Sequence, residues 1–259
     1  SHDGRQIPIT ITYHKNTKLD GSAHLLLYGY GSYGSAMTPA FSTSGLSLID
    51  RNVIWATCHI RGGFERGFHW WREGKLLKKK NTFSDFISCA KFLIKKKYTS
   101  QKKIIAFGGS AGGLTIGCTI NQAPELFLGA IMAVPFLDNL TTNMDHSLPL
   151  TAGELLEFGD AKNNKEHFEY IYSYSPYLQI AKKKEYPHIL ITTSLADSRV
   201  LFDEPTKYCA KLRDYKTDNN LLLLKCEMEA GHGGRSGRTA AIEETAFDYA
   251  FALKIAGKF

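Results

Sequence analysis

Residues 7–13 alternate apolar and polar side chains with period two, which predicts a strand with one buried face. Six further runs, at residues 24–30, 53–59, 104–107, 130–134, 188–193 and 221–226, are short and mostly apolar throughout. Continuous apolar runs of this length suit strands covered on both faces of a mainly parallel sheet. Between them, residues 82–95 and 204–215 repeat apolar positions at helical spacing. A closing helix is predicted over 239–255, with Ala246, Tyr249, Ala250 and Leu253 on one stripe. Strands alternating with helices predict a doubly wound α/β fold. Without an internal repeat or a low-complexity linker, residues 1–259 are expected to form one domain.

The bulk properties narrow the function classes. A chain of 259 residues can bury a full core. The net charge of +7 raises nucleic-acid binding, but the lysines fall in separate clusters at 78–80, 95–97 and 182–184. These lie near predicted helix ends, where they complement the helix dipole. No nucleic-acid-binding motif accompanies them, so no nucleic-acid partner is expected. No apolar stretch approaches the roughly 20 residues that cross a bilayer. The opening Ser1-His2-Asp3 lacks a leader's basic and apolar regions, so neither membrane nor secretion is expected. Five cysteines, Cys58, Cys89, Cys118, Cys209 and Cys226, include no CxxC pair. That argues against a disulfide framework and a zinc site, and favours a reducing, cytoplasmic setting.

The candidate chemistry centres on Gly108-Gly109-Ser110-Ala111-Gly112. A GxSxG match alone is weak evidence in a glycine-rich chain. Here it follows a strand-like run and precedes a helical one at 114–122, which is the context of a nucleophile elbow. The sharp turn exposes the serine Oγ at the carboxyl edge of the sheet, and side chains at the flanking glycines would collide across it. The helix N-terminus beneath favours developing negative charge.

A serine hydroxyl needs a base, and the base needs an orienting carboxylate. Of nine histidines, only His232 sits in a glycine-flanked turn after the last apolar run, within Ala230-Gly231-His232-Gly233-Gly234. Asp197 is the only carboxylate in the loop after residues 188–193, and it precedes His232 by 35 residues. One helix and one strand fit in that interval. The order Ser110, Asp197, His232 is that of α/β-hydrolases.

Several stretches carry a more specific likeness. Leu26-Leu27-Tyr28-Gly29-Tyr30-Gly31-Ser32-Tyr33-Gly34, His59-Ile60-Arg61-Gly62-Gly63, Leu77-Lys78-Lys79-Lys80-Asn81-Thr82-Phe83, the GGSAGG elbow and residues 231–238 resemble the prolyl oligopeptidase family of serine peptidases. Ala111 after the serine and the LKKKNTF run resemble its oligopeptidase B branch. The resemblance implies an α/β-hydrolase fold, peptide-bond hydrolysis of short oligopeptides without a cofactor or metal, and an oxyanion hole made by the Ala111 amide and the Tyr30 hydroxyl. It also assigns Arg199 to the substrate backbone.

Specificity is where the chain departs from the branch. The branch holds a basic P1 side chain with two carboxylates in a Gly-Glu-x-Glu stretch, whereas this chain reads Gly153-Glu154-Leu155-Leu156-Glu157. Glu154 matches the first carboxylate and Leu156 occupies the place of the second. Glu157 could substitute only if the local backbone re-aims it. Residues 36–40 lack the two aspartates that often take a second basic residue. Cleavage after Arg or Lys is expected, with cleavage after proline or a small apolar residue as the alternative. The family's N-terminal β-propeller has no counterpart in these residues, which leaves two readings open: a fragment of a longer protein, or a chain whose candidate partner is a separate propeller chain. A remnant impaired by its loss and a general esterase are the other open readings.

Overall fold

The computed structural model describes residues 1–258, and every predicted apolar run overlaps a strand, several running one or two residues past its end. The strands are β1 (Ile9–Thr12), β2 (His24–Tyr28), β3 (Val53–Cys58), β4 (Ile104–Gly109), β5 (Phe127–Ala133), β6 (His188–Ser194) and β7 (Leu222–Glu227). They form one sheet in the order β1-β3-β2-β4-β5-β6-β7. β1 runs antiparallel to β3, and all other pairs are parallel. The helices are α1 (Thr43–Ile49), α2 (Phe68–Arg72), α3 (Lys80–Lys95), α4 (Ala111–Gln122), α5 (Asn139–Met144), α6 (Thr151–Phe158), α7 (Lys165–Tyr172), α8 (Asp203–Tyr215) and α9 (Arg238–Ile255).

Three consecutive leucines show why β2 has no polar face. Leu25 and Leu27 enter one cluster with Phe86 and Leu93 of α3, Ile116 and Ile120 of α4, and Tyr208 and Leu212 of α8. Leu26 points to the opposite face, against Leu48 of α1 and Tyr249 of α9. Side chains alternate across a strand, so a sheet covered by helices on both sides needs apolar residues at every position. Each leucine is fully buried, which contributes on the order of 2 kcal/mol apiece.

Two predicted details differ. β5 begins at Phe127, three residues before the predicted run, because Phe127 pairs with Ile104 and Gly129 with His188. The predicted stripe on α9 is only partly a core face: Ala246 is exposed, whereas Tyr249, Phe251 and Ala252 are buried. The first turns of α9 face solvent. Its last turns contact two apolar clusters at once, Phe251 and Ala252 in one and Tyr249 in the other. That contact is too broad for a single stripe. α5, α6 and α7, between β5 and β6, are not foreshadowed by any periodicity noted above.

The chain order reverses at β2, which lies between β3 on one side and β4 on the other. Such a reversal opens a crevice at the carboxyl ends of the two strands. Tyr30 follows β2 and Ser110 follows β4, so both stand at its mouth. No helix among the described residues is long and apolar enough to cross a membrane.

Candidate active site

Ser110 has φ 53° and ψ −122°, a left-handed-side conformation that side chains rarely adopt. Strain of this kind costs on the order of 1–3 kcal/mol and persists only when neighbours hold it. Ser110 N–H donates to Ala133 O at 2.8 Å, and Ser110 O accepts from Gly113 N at 2.9 Å and Phe136 N at 3.1 Å. Glycine is required at two close approaches. A Cβ on Gly108 would lie 2.5 Å from Gly112 O, and one on Gly113 would lie 2.3 Å from Pro135 Cβ. The turn therefore closes only with bare backbone at these points. Ala111 is the first residue of α4, where an amide has no acceptor within the helix.

His232 arrives on a turn closed by Gly234 N–H donating to Gly231 O at 3.1 Å. The loop that carries Asp197 is tied to it, since Ala196 N–H donates to Ala230 O at 3.2 Å. Asp197 is buried, with Oδ1 accepting from Arg199 N at 2.8 Å and Val200 N at 3.0 Å. Its Oδ2 lies 2.7 Å from His232 Nδ1, and His232 Nε2 lies 3.0 Å from Ser110 Oγ. A carboxylate only accepts, so Nδ1 carries the imidazole proton and Nε2 is left to accept from the serine hydroxyl. Three residues from the ends of β4, β6 and β7, 122 positions apart at the extremes, thus form one hydrogen-bonded chain.

A cleft of about 120 Å³ opens over Ser110, Ala111 and His232. Tyr33, Phe136 and Val200 line it, and Glu154 and Arg199 supply its charges. Glu154 is 6% exposed, its Oε2 has no hydrogen-bond partner, and burial pushes its carboxyl up to about 7. Arg199 is exposed at the rim. Tyr30 is partly buried, which raises its phenol above the ordinary value, while Ser110 and Arg199 pull the other way. Its backbone is held by Thr115 Oγ1, which donates to Tyr30 O at 2.9 Å.

The two positions around the missing second carboxylate point elsewhere. Leu156 is 72% exposed. Glu157 is buried and bonded to Trp71 Nε1 at 2.8 Å and Lys79 Nζ at 3.3 Å. It is not re-aimed into the cleft. The sequence reading missed Tyr33, Phe136 and Val200 as cleft residues. Tyr33 carried a usable signal, an aromatic residue in the glycine-rich turn after Tyr30. Phe136 and Val200 carried none.

A model of the prolyl oligopeptidase family matches residues 39–259, most of the chain. The chain belongs to that family. Protease 2 of Moraxella lacunata is 47% identical over 250 residues, which is 96% of this chain and 36% of that protein. A prolyl endopeptidase of Elizabethkingia meningoseptica is 36% identical over 253 residues, covering 98% of this chain and 36% of its own length. The structure of oligopeptidase B from Leishmania major superposes with a TM-score of 0.96 at 43% identity, over 99% of this chain and 35% of that one. The chain therefore spans little more than a third of the length of these relatives. Its fold is the α/β-hydrolase fold of the family's catalytic region.

Proposed function

We propose that this chain is the catalytic domain of a serine oligopeptidase that cleaves short peptides after Arg or Lys through an acyl-enzyme on Ser110. The aligned Ser110–His232–Asp197 chain on a strained elbow carries the reading. His232 Nε2 takes the Oγ proton as Oγ attacks the scissile carbonyl, then delivers it to the leaving amine. Water attacks the acyl-serine through the same proton path. Asp197 holds the tautomer and stabilises the imidazolium. The Ala111 amide and the Tyr30 hydroxyl receive the oxyanion, and Arg199 at the rim engages the substrate backbone.

Tyr30→Phe keeps the ring and removes one oxyanion donor. It should lower kcat by about 10²–10³-fold with KM little changed. Steady-state kinetics on a peptide amide check this, and an unchanged kcat would remove Tyr30 from the mechanism.

Glu154 supports a basic P1 residue because it is an unpaired carboxyl facing the cleft. With its carboxyl raised to about 7, it is neutral below that pH and charged above it. The ratio of kcat/KM for Arg over Ala at P1 should therefore rise between about pH 6 and about pH 8. The chemical steps at Ser110 are common to both substrates and cancel in the ratio. Glu154→Gln should flatten this profile and lower the ratio by about tenfold or more. A flat wild-type ratio favouring Pro or Ala would instead support apolar P1 specificity. The walls Tyr33, Phe136 and Val200 and the outward Leu156 favour that second reading.

The resemblance implies a propeller that covers this domain, and an apolar face is present to receive one. Phe64, Phe68 and Trp71 pack edge to face, with Phe64 and Phe68 exposed. An apolar patch of this kind suits a covering domain. Five free cysteines, four of them buried, support a reducing cytoplasmic setting.

A further inference from the structure

Lys79, like Arg61, is a cation buried inside the molecule. It has no exposed side-chain surface, although burying a charge is costly unless its partners are close. Its three ammonium protons meet three acceptors: Gly31 O at 2.7 Å, Ser32 Oγ at 2.6 Å and Glu157 Oε1 at 3.3 Å. Its ammonium also lies 5.3 Å from the centre of the Phe158 ring. Gly31 and Ser32 directly follow Tyr30. Glu157 lies one helical turn beyond Glu154 on α6, and both face inward. One buried side chain at the start of α3 therefore grips the turn carrying the oxyanion tyrosine and the helix carrying the cleft carboxyl.

The surroundings make that grip specific. Gly31 has φ +75°, and a Cβ there would lie 2.4 Å from Thr82 Cγ2, so the turn has little freedom on its other side. Trp71 Nε1 donates to the second Glu157 oxygen, which fixes the carboxylate in the orientation Lys79 uses. Tyr33, two residues past Gly31, packs edge to face on Phe158 at 5.8 Å. The Glu157 charge is also felt at the Tyr30 phenol. Without Lys79, an uncompensated carboxylate would face the region where the oxyanion develops.

We propose that the buried Lys79–Glu157 pair is a positioning device that sets Tyr30 and Glu154 together, coupling oxyanion stabilisation to recognition of the P1 side chain. Neither residue touches substrate. The inference rests on the roles given above to Tyr30 and Glu154.

The test uses the 259-residue chain and the variant Lys79→Met/Glu157→Gln, which removes both charges of the pair and leaves neither partner unbalanced. Active sites are titrated with a fluorophosphonate, so that kcat refers to competent molecules, and melting is followed in parallel. The double variant should lose about tenfold in kcat on both Arg and Ala substrates, and its Arg-over-Ala ratio should fall about fivefold. On a Tyr30→Phe background the same pair change should cost little further kcat while still lowering the ratio. A lowered melting temperature with kcat per titrated site and ratio both unchanged means a purely structural pair, and overturns the proposal. Should the double variant not fold, Trp71→Phe removes one hydrogen bond to Glu157 and no charge. It should lower the ratio about twofold, and an unchanged ratio overturns the coupling. Tyr30→Phe and Glu154→Gln as single variants separate the two failures. If they too leave kcat and ratio unmoved, the underlying reading of the site fails and the coupling fails with it.

Discussion

Ser110→Ala should abolish Ser110-dependent amide hydrolysis, lowering kcat by about a million-fold while the chain stays folded. In the proposed mechanism Oγ forms the acyl bond, and it lies 3.0 Å from His232 Nε2. Alanine keeps the Cβ and the same backbone, so the φ of 53° costs no more than it does with serine. The Ala133, Gly113 and Phe136 bonds to residue 110 are all made by its backbone and survive. The proposed oxyanion donors and the cleft also remain, so about 10³–10⁴-fold acceleration over water is expected to persist as a floor. A fluorogenic peptide amide reads the loss, and a fluorophosphonate followed by peptide mass mapping locates the modified serine. Labelling that survives in the variant, or turnover within tenfold of wild type, would place the nucleophile elsewhere.

Asp197→Asn should lower kcat by about 10⁴-fold at neutral pH with little change in KM. Asparagine can keep one oxygen toward Arg199 N and Val200 N, whose donated bonds at 2.8 Å and 3.0 Å fix the loop. Its amide nitrogen then faces His232 Nδ1 as a donor. The imidazole must accept there and carry its proton on Nε2, the nitrogen that should receive the Ser110 proton. The geometry survives and the tautomer is wrong. If the amide turns the other way, two backbone N–H groups lose their acceptor in a buried site, at about 1–3 kcal/mol each. A melting curve distinguishes the two cases. A variant within tenfold of wild-type kcat at unchanged stability would show that Asp197 only braces the loop.

The two variants probe different links in the same chain. In the proposed mechanism serine supplies the bond-forming atom. Aspartate supplies only orientation and charge compensation, so its smaller loss measures how much of the base's power comes from holding one tautomer. On the same proposal, Tyr30→Phe measures the charge that develops on the substrate. Together with the pH dependence attached to Glu154, these separate chemistry from recognition within a single cleft.

Much of this was legible in the chain. The strand runs, the elbow and the two loops carrying Asp197 and His232 are signalled within windows of ten residues or so. Gly108 and Gly112 flanking Ser110 state a steric condition of the turn itself, and Gly231 and Gly233 mark the histidine loop in the same local way. Ala246 was misplaced because helical spacing shows which residues share a stripe, not which part of a long helix lies on the sheet. Phe136 and Val200 went unnoticed because ordinary apolar residues carry no mark of facing a cleft.

By itself, then, the sequence determined the α/β layering, the elbow and the order Ser110, Asp197, His232, since each follows from short-range sterics and periodicity. Only the tertiary structure decided that 3.0 Å and 2.7 Å join residues from three different strand ends. It also decided the fate of the acidic stretch on α6. Each helical residue turns the side chain by about 100°, so Glu154 and Glu157 share the inner face while Leu156 between them faces solvent. Which inner carboxylate stays unpaired depends on where Lys79 arrives. That is set by the packing of α3 against the rest of the molecule, and no local pattern encodes it.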